Sequence, residues 1–134
     1  MDYLVLLKDI FIGGDRYMYI LNGLAFSIGT TLLATIIGII LGILIALLEL
    51  SQFYPLKHKK GWEKFNPLSS IAFGYVDIIR GTPAVVQLMI LANLIFVGVL
   101  RDTPILVIAG LSFGINSGAY VAEIIRAGIE GLDK

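Results

Sequence analysis

Side chains able to do chemistry are sparse in this chain, and their placement tells more than their number. His58 is the only histidine and stands among Lys57, Lys59 and Lys60, and cysteine is absent. That composition removes histidine-based triads, thiolate nucleophiles, disulfides and multi-histidine metal sites. No Gly-x-x-x-x-Gly-Lys-Ser/Thr string is present to cradle a phosphate, so no enzyme activity, metal or cofactor is expected of this sequence.

Polar side chains set inside apolar runs are what remain. At about 100° per residue, Ser112, Asn116, Tyr120 and Glu123 fall on one helical stripe. Polar residues at membrane depth face a cavity or the interior of a bundle. The stripe therefore either lines a path for a polar solute or hydrogen-bonds a neighbouring helix. Gly110, Gly114 and Gly118 repeat every four residues roughly opposite it, and Gly38 with Gly42 repeats that spacing earlier. Small residues so spaced let a second helix approach closely and leave faces for assembly with another subunit. Gln87 and Asn93 lie about 120° apart on a wheel and do not share a stripe. Gln87, close behind Arg80-Gly81-Thr82-Pro83, is the pathway candidate, and Asn93 reads as a packing contact.

Two charge patterns mark helix ends. Asp77 and Arg80 are three apart and can pair on one face, a contact worth about 0.5 kcal/mol when exposed. Arg80 then anchors the entry of an apolar segment while Gly81, Thr82 and Pro83 reset the backbone; an ordinary helix-entry turn is the plainer alternative. Glu123, Arg126 and Glu130 suit either a ladder of ion pairs on an emerging helix or solvated charges at a helix end.

The elements that must carry these residues are membrane helices. Hydrophobic residues make up 57% of the 134 and charged residues 15%, too little polar surface for a soluble domain of this size. Ten basic and ten acidic residues balance to zero, leaving no basic footprint for nucleic acid. Three stretches lack charge for the roughly 20 residues a bilayer crossing needs: Tyr17 to Leu48, Gly81 to Leu100 and Thr103 to Ala122. Backbone pairing in lipid makes each a helix. Asn22-Gly23 and Thr82-Pro83 read as entry signals for the first two.

Residues 1–16 mix charge with Leu, Ile and Phe, which suits an interfacial segment, and residues 17–134 form the transmembrane domain. Asp2, Lys8 and Asp9 interrupt the first apolar stretch, against a cleavable signal peptide. Lys57, Lys59, Lys60 and Lys64 place the loop after the first span in the cytoplasm, with the N-terminus and Arg101-Asp102 outside and Lys134 inside. Tyr17 and Tyr19 then sit at the outer interface, and Phe53, Tyr54, Trp62 and Phe65 at the inner one.

Three sets of strings, in their order and spacing, resemble the polar amino acid permease family of ATP-binding-cassette importers. They are Gly29-Thr30-Thr31-Leu32, then Arg80-Gly81-Thr82-Pro83 with Val86-Gln87, then Asn116-Ser117-Gly118-Ala119-Tyr120 with Glu123 and Arg126. The resemblance covers roughly Ile20 to Lys134 and implies an all-α, polytopic fold: three transmembrane helices of a type I importer permease behind a short interfacial helix, in the cell inner membrane. It implies a second permease subunit, identical or different, a cytoplasmic ATP-binding subunit, an extracytoplasmic solute-binding protein and a polar amino acid as solute. Glu123 and Arg126 then lie at the ATPase-side end. The family's Glu-Ala-Ala coupling loop and the helices after it are not in the sequence, so only the N-terminal portion is expected here. A small helical membrane protein that mediates assembly, or a permease fragment without transport activity, is the alternative.

Overall fold

The computed structural model describes residues 3–51, 53, 65–96, 98 and 101–132. Among them every regular element is helical. Helix α1 spans Tyr3–Phe11 and exposes Tyr3, Leu4, Val5 and Phe11. A short turn, Gly13–Asp15, follows, in which Gly14 (φ 67°) and Asp15 (φ 56°) are left-handed. Glycine enters that region freely and aspartate is among the few others that tolerate it. This reversal, and not Asn22-Gly23, sets the start of α2, Arg16–Glu49, and Asn22-Gly23 lie inside the helix.

Helix α3 covers Pro67–Gly81, α4 covers Ala84–Ile90 and runs on as a π-helical stretch over Leu91–Phe96, and α5 covers Ile105–Leu132. The segments Gly13–Glu49 and Ile105–Leu132 are each long and apolar enough to cross a membrane, with mean hydropathy 2.8 and 1.7. Among the described residues the one further candidate is a bent pair, Pro67–Gly81 and Ala84–Asn93, which meet at 111° and form a broken span or a re-entrant loop. The second span is therefore not one helix beginning at Gly81, which instead closes α3. The basic loop residues Lys57, Lys59, Lys60 and Lys64, with His58, Tyr54 and Trp62, lie outside the described residues, as does Lys134.

Helices α2 and α5 form the main contact, and small side chains explain it. Thr30, Ala34, Gly38, Gly42 and Ala46 are buried at every fourth position of α2, as are Gly110, Gly114, Gly118 and Ala122 of α5. The missing Cβ atoms are occupied space. A Cβ on Gly42 would fall 2.5 Å from Val121 Cβ, one on Gly110 2.5 Å from Leu33 Cδ2, and one on Gly114 2.6 Å from Ile37 Cγ2. On Gly38 it would strike Ser117, and on Gly118 it would come within 3.1 Å of Leu41 Cβ. In lipid, where no hydrophobic force drives helices together, such close approach is a principal source of association. The glycine faces that the sequence offers for assembly with another subunit are thus filled within the chain.

Helix α3 is tied to both. Asn66 caps it by accepting from the Ser69 amide at 3.1 Å, while its own Nδ2 donates to the Ser51 carbonyl just past α2. Ser69 Oγ donates to the Glu49 carbonyl at 2.9 Å, serving a terminal carbonyl of α2. Tyr75 packs on a core of Ala46, Val76, Ala119 and Ala122, and its hydroxyl donates to the Ile115 carbonyl of α5.

Candidate functional site

A cavity of about 470 Å³ opens between α2 and α5. Its α2 wall is Phe26, Ser27, Thr30, Thr31, Ala34 and Thr35; its α5 wall is Ala109, Phe113, Asn116 and Ser117. Ser27 Oγ donates to the Gly23 carbonyl at 2.9 Å, Thr31 Oγ1 to the Ser27 carbonyl at 2.8 Å and Ser117 Oγ to the Gly114 carbonyl at 3.3 Å. Hydroxyls that spend their proton on their own helix keep oxygen lone pairs to offer. Thr30 Oγ1 is buried with no hydrogen-bond partner among the described residues. The walls therefore pair two aromatic rings with a set of acceptors, a lining that suits a small solute carrying N–H donors.

Of the residues read from sequence as a pathway, Asn116 lines this cavity. Gln87 does not line it but sits directly behind, 8% exposed, accepting from Asn116 Nδ2 at 2.6 Å. Ser112 is 1% exposed and its hydroxyl donates to the Ile108 carbonyl of its own helix at 2.8 Å. Tyr120 lies beneath Arg80, whose guanidinium carbon is 6.0 Å from the ring centre. Asn93 is exposed and donates to the Met89 carbonyl at 3.0 Å. In sequence Thr30 and Thr31 stand out only within a family string, and nothing marks the α2 hydroxyls as a cavity wall, although Ser27, Thr31 and Thr35 stand at the four-residue spacing of a helical stripe.

The bend is built by Thr82, Pro83 and Gln87. Thr82 and Pro83 are both extended, with ψ of 149° and 127°. In a continued helix the amides of residues 82 and 83 would serve the carbonyls of Ile78 and Ile79. Thr82 has left helical geometry and Pro83 has no N–H to give. Side chains take over both tasks. Thr82 Oγ1 donates to the Ile78 carbonyl at 2.8 Å, and Gln87 Nε2 donates to the Ile79 carbonyl, to the Thr82 carbonyl at 2.9 Å and to Thr82 Oγ1.

Charges gather where α2, α3 and α5 meet. Arg80 pairs at 3.3 Å with Glu123 of α5 and not with Asp77, because α5 brings a carboxylate to the side of α3 on which Arg80 also meets the Tyr120 ring. Arg126 joins Glu123 and Glu130, each at 2.7 Å, and stands 5.7 Å from the Phe73 ring centre. Its Nε is also 3.8 Å from Glu49, which is 5% exposed and whose carboxylate oxygens have no hydrogen-bond partner among the described residues. A carboxylate at a helix C-terminus opposes the helix dipole, and Arg126 offsets that charge. Among the described residues no group of His, Asp or Glu side chains converges as a metal site would require.

No family model matches the chain. Over 120 residues it is 40% identical to the arginine transport system permease protein ArtQ of Bacillus subtilis, covering 87% of this chain and 48% of that protein. Over 115 residues it is 39% identical to the L-cystine transport system permease protein TcyB of the same organism, covering 84% and 43%. Its fold matches a crystal structure of an amino acid ABC transporter with histidines at a TM-score of 0.67 and 33% identity, over 97% of this chain and 51% of that one. Its homologues are amino acid ABC transporter permeases. The chain spans about half the length of the curated relatives it matches.

Proposed function

We propose that this chain is a membrane-spanning part of an ABC importer permease, with the α2–α5 cavity on the route of a polar amino acid. The observation that carries this reading is the cavity itself: a space of about 470 Å³, with a mainly apolar wall carrying several hydroxyls and the Asn116 amide, in a chain whose homologues are amino acid permeases. The ammonium of an amino acid supplies N–H donors to the lone pairs that Ser27, Thr31 and Ser117 leave unmatched, and Phe26 and Phe113 supply apolar wall. Asn116 meets the solute and Gln87 supports it from behind. Ser112 and Tyr120 receive no solute contact in this reading, since one is spent on its own helix and the other lies under Arg80.

The remaining parts follow from the homologues' function. A second permease subunit covers exposed apolar faces, a cytoplasmic ATPase drives the cycle and docks toward the Glu123–Arg126 end, and an extracytoplasmic binding protein delivers the solute. Residues 1–16 lie along the interface and 17–134 cross the inner membrane, with the Lys57–Lys64 loop cytoplasmic. Single cysteines at Lys59 and Arg101, in a chain with no cysteine of its own, report the orientation. An impermeant thiol reagent added to intact cells labels position 101 and spares 59; the reverse pattern inverts the topology.

The transport reading is tested in a complete permease bearing this sequence, reconstituted with its ATPase and binding protein. Asn116→Leu lowers amino acid uptake about tenfold or more at equal permease quantity, because the half-buried amide that recognised the solute is gone. Asn93→Leu leaves uptake close to wild type. Equal uptake by the wild type and Asn116→Leu removes Asn116 from the route.

A further inference from the structure

We propose that Gln87 is a positioning residue that makes the α3–α4 bend and the α5 wall of the cavity one hydrogen-bonded unit. Its side chain does two jobs at once. The amide nitrogen replaces the proton donor that Pro83 lacks, serving the Ile79 carbonyl as well as the Thr82 carbonyl and hydroxyl. The amide oxygen accepts from Asn116 Nδ2 at 2.6 Å, across from α4 to α5. Two N–H groups shared among three acceptors on one side, and one donor meeting the oxygen on the other, fix which way the amide points. Both ends of Gln87 are thus committed, and it is 8% exposed, so removing its side-chain amide leaves buried polar groups unpaired.

The consequence is mechanical. Helix α4 cannot swing relative to α3 without breaking Gln87 from the Ile79 and Thr82 carbonyls, and Asn116 cannot turn without releasing Gln87. A change in bend and a change in the cavity wall are therefore coupled, in both directions, as linkage requires. Thr82-Pro83 on this view is a latched corner and not a free hinge. This geometry stands apart from the transport reading, and only its role in solute movement rests on that reading.

Spin labels at the exposed Ile78 and Met89 straddle the corner and read its angle as a distance distribution in the reconstituted permease. With no solute added, Gln87→Leu broadens that distribution. Asn116→Leu also broadens it, although residue 116 belongs to another helix, and the double variant is no broader than Gln87→Leu alone because the two act through one bond. A wild-type distribution in Asn116→Leu overturns the coupling, and one in Gln87→Leu overturns the latch. Should Gln87→Leu insert poorly, its folded yield falling about tenfold for a buried hydrogen bond lost, Pro83→Ala is the second variant. Pro83→Ala returns a backbone N–H to the corner and restores that yield if Gln87 stands in for the proline's missing donor; no restoration overturns the assignment. None of these readouts needs transport, so a permease that fails to move amino acids still tests the corner.

Discussion

Along the α2–α5 seam two backbones meet because side chains are missing, whereas at the α3–α4 corner two helices part around a side chain that cannot be spared. The seam is steric: Gly38, Gly42, Gly110, Gly114 and Gly118 give up their Cβ atoms so that Leu33, Ile37, Leu41, Ser117 and Val121 can fill the space. The corner is polar: Thr82 and Gln87 supply the donors that a 111° turn and a proline withdraw. The two regions consequently fail to opposite substitutions. Adding carbon breaks the seam, and removing a hydrogen-bonding atom breaks the corner.

The largest effect is expected within the seam, at Gly42. A Cβ at Gly42 would lie 2.5 Å from both Val121 Cβ and Cγ1 and 3.1 Å from the Ala122 amide nitrogen, so neither the side chain nor the backbone of α5 leaves it room. Gly42→Leu should cost about 3 kcal/mol, the upper part of the range for overpacking, seen as a lower midpoint in denaturant titration of the protein in detergent. Gly23 is the control on the same helix, since a Cβ there meets nothing within 4 Å. Helix propensity by itself favours leucine over glycine at both positions, so a Gly42→Leu variant no less stable than Gly23→Leu would show that contact with α5 does not exclude a side chain at Gly42.

The two regions also differ in how far the sequence betrayed them. A small residue at every fourth position is a one-dimensional pattern with a direct steric meaning, so the packing stripes of α2 and α5 can be read before any fold is known. The corner cannot, because Gly81-Thr82-Pro83 reads equally as the start of a helix or as a sharp turn between two, and only the placement of Gln87 five residues past Thr82 decides. Long-range charge partners were hidden for a related reason. Asp77 is the local choice for Arg80, yet Glu123 takes it, because a tertiary crossing outweighs the small value of an exposed pair within one helix. Glu49 fell just beyond the apolar run ending at Leu48, and its burial against Arg126 depends on how α5 crosses α2. The cavity's α2 wall was in plain view as spaced hydroxyls, which are so often helix-bonded that the spacing alone gave no sign of a space beside them.

The smallest effect is expected where the steric and polar strategies touch. The Tyr75 hydroxyl donates from α3 to the Ile115 carbonyl of α5, and the same hydroxyl lies 3.2 Å from where a Cβ on Gly118 would sit. A helix carbonyl has a second lone pair, so without Tyr75 the Ile115 oxygen keeps its helical N–H partner and is not orphaned. Tyr75→Phe should therefore cost only about 0.5–1 kcal/mol in the same detergent titration, far less than Gly42→Leu. Its value lies in the pairing with Gly118→Ala. That methyl group meets both the Tyr75 hydroxyl and Leu41 Cβ, the latter at 3.1 Å, so each neighbour must give a little. Removing the hydroxyl takes away one of the two, and Gly118→Ala should be milder in the Tyr75→Phe background than in the wild type, a non-additive coupling of about 0.5 kcal/mol. Strict additivity would show that the methyl is resisted by Leu41 alone, leaving the α3 hydrogen bond and the α2–α5 seam energetically separate.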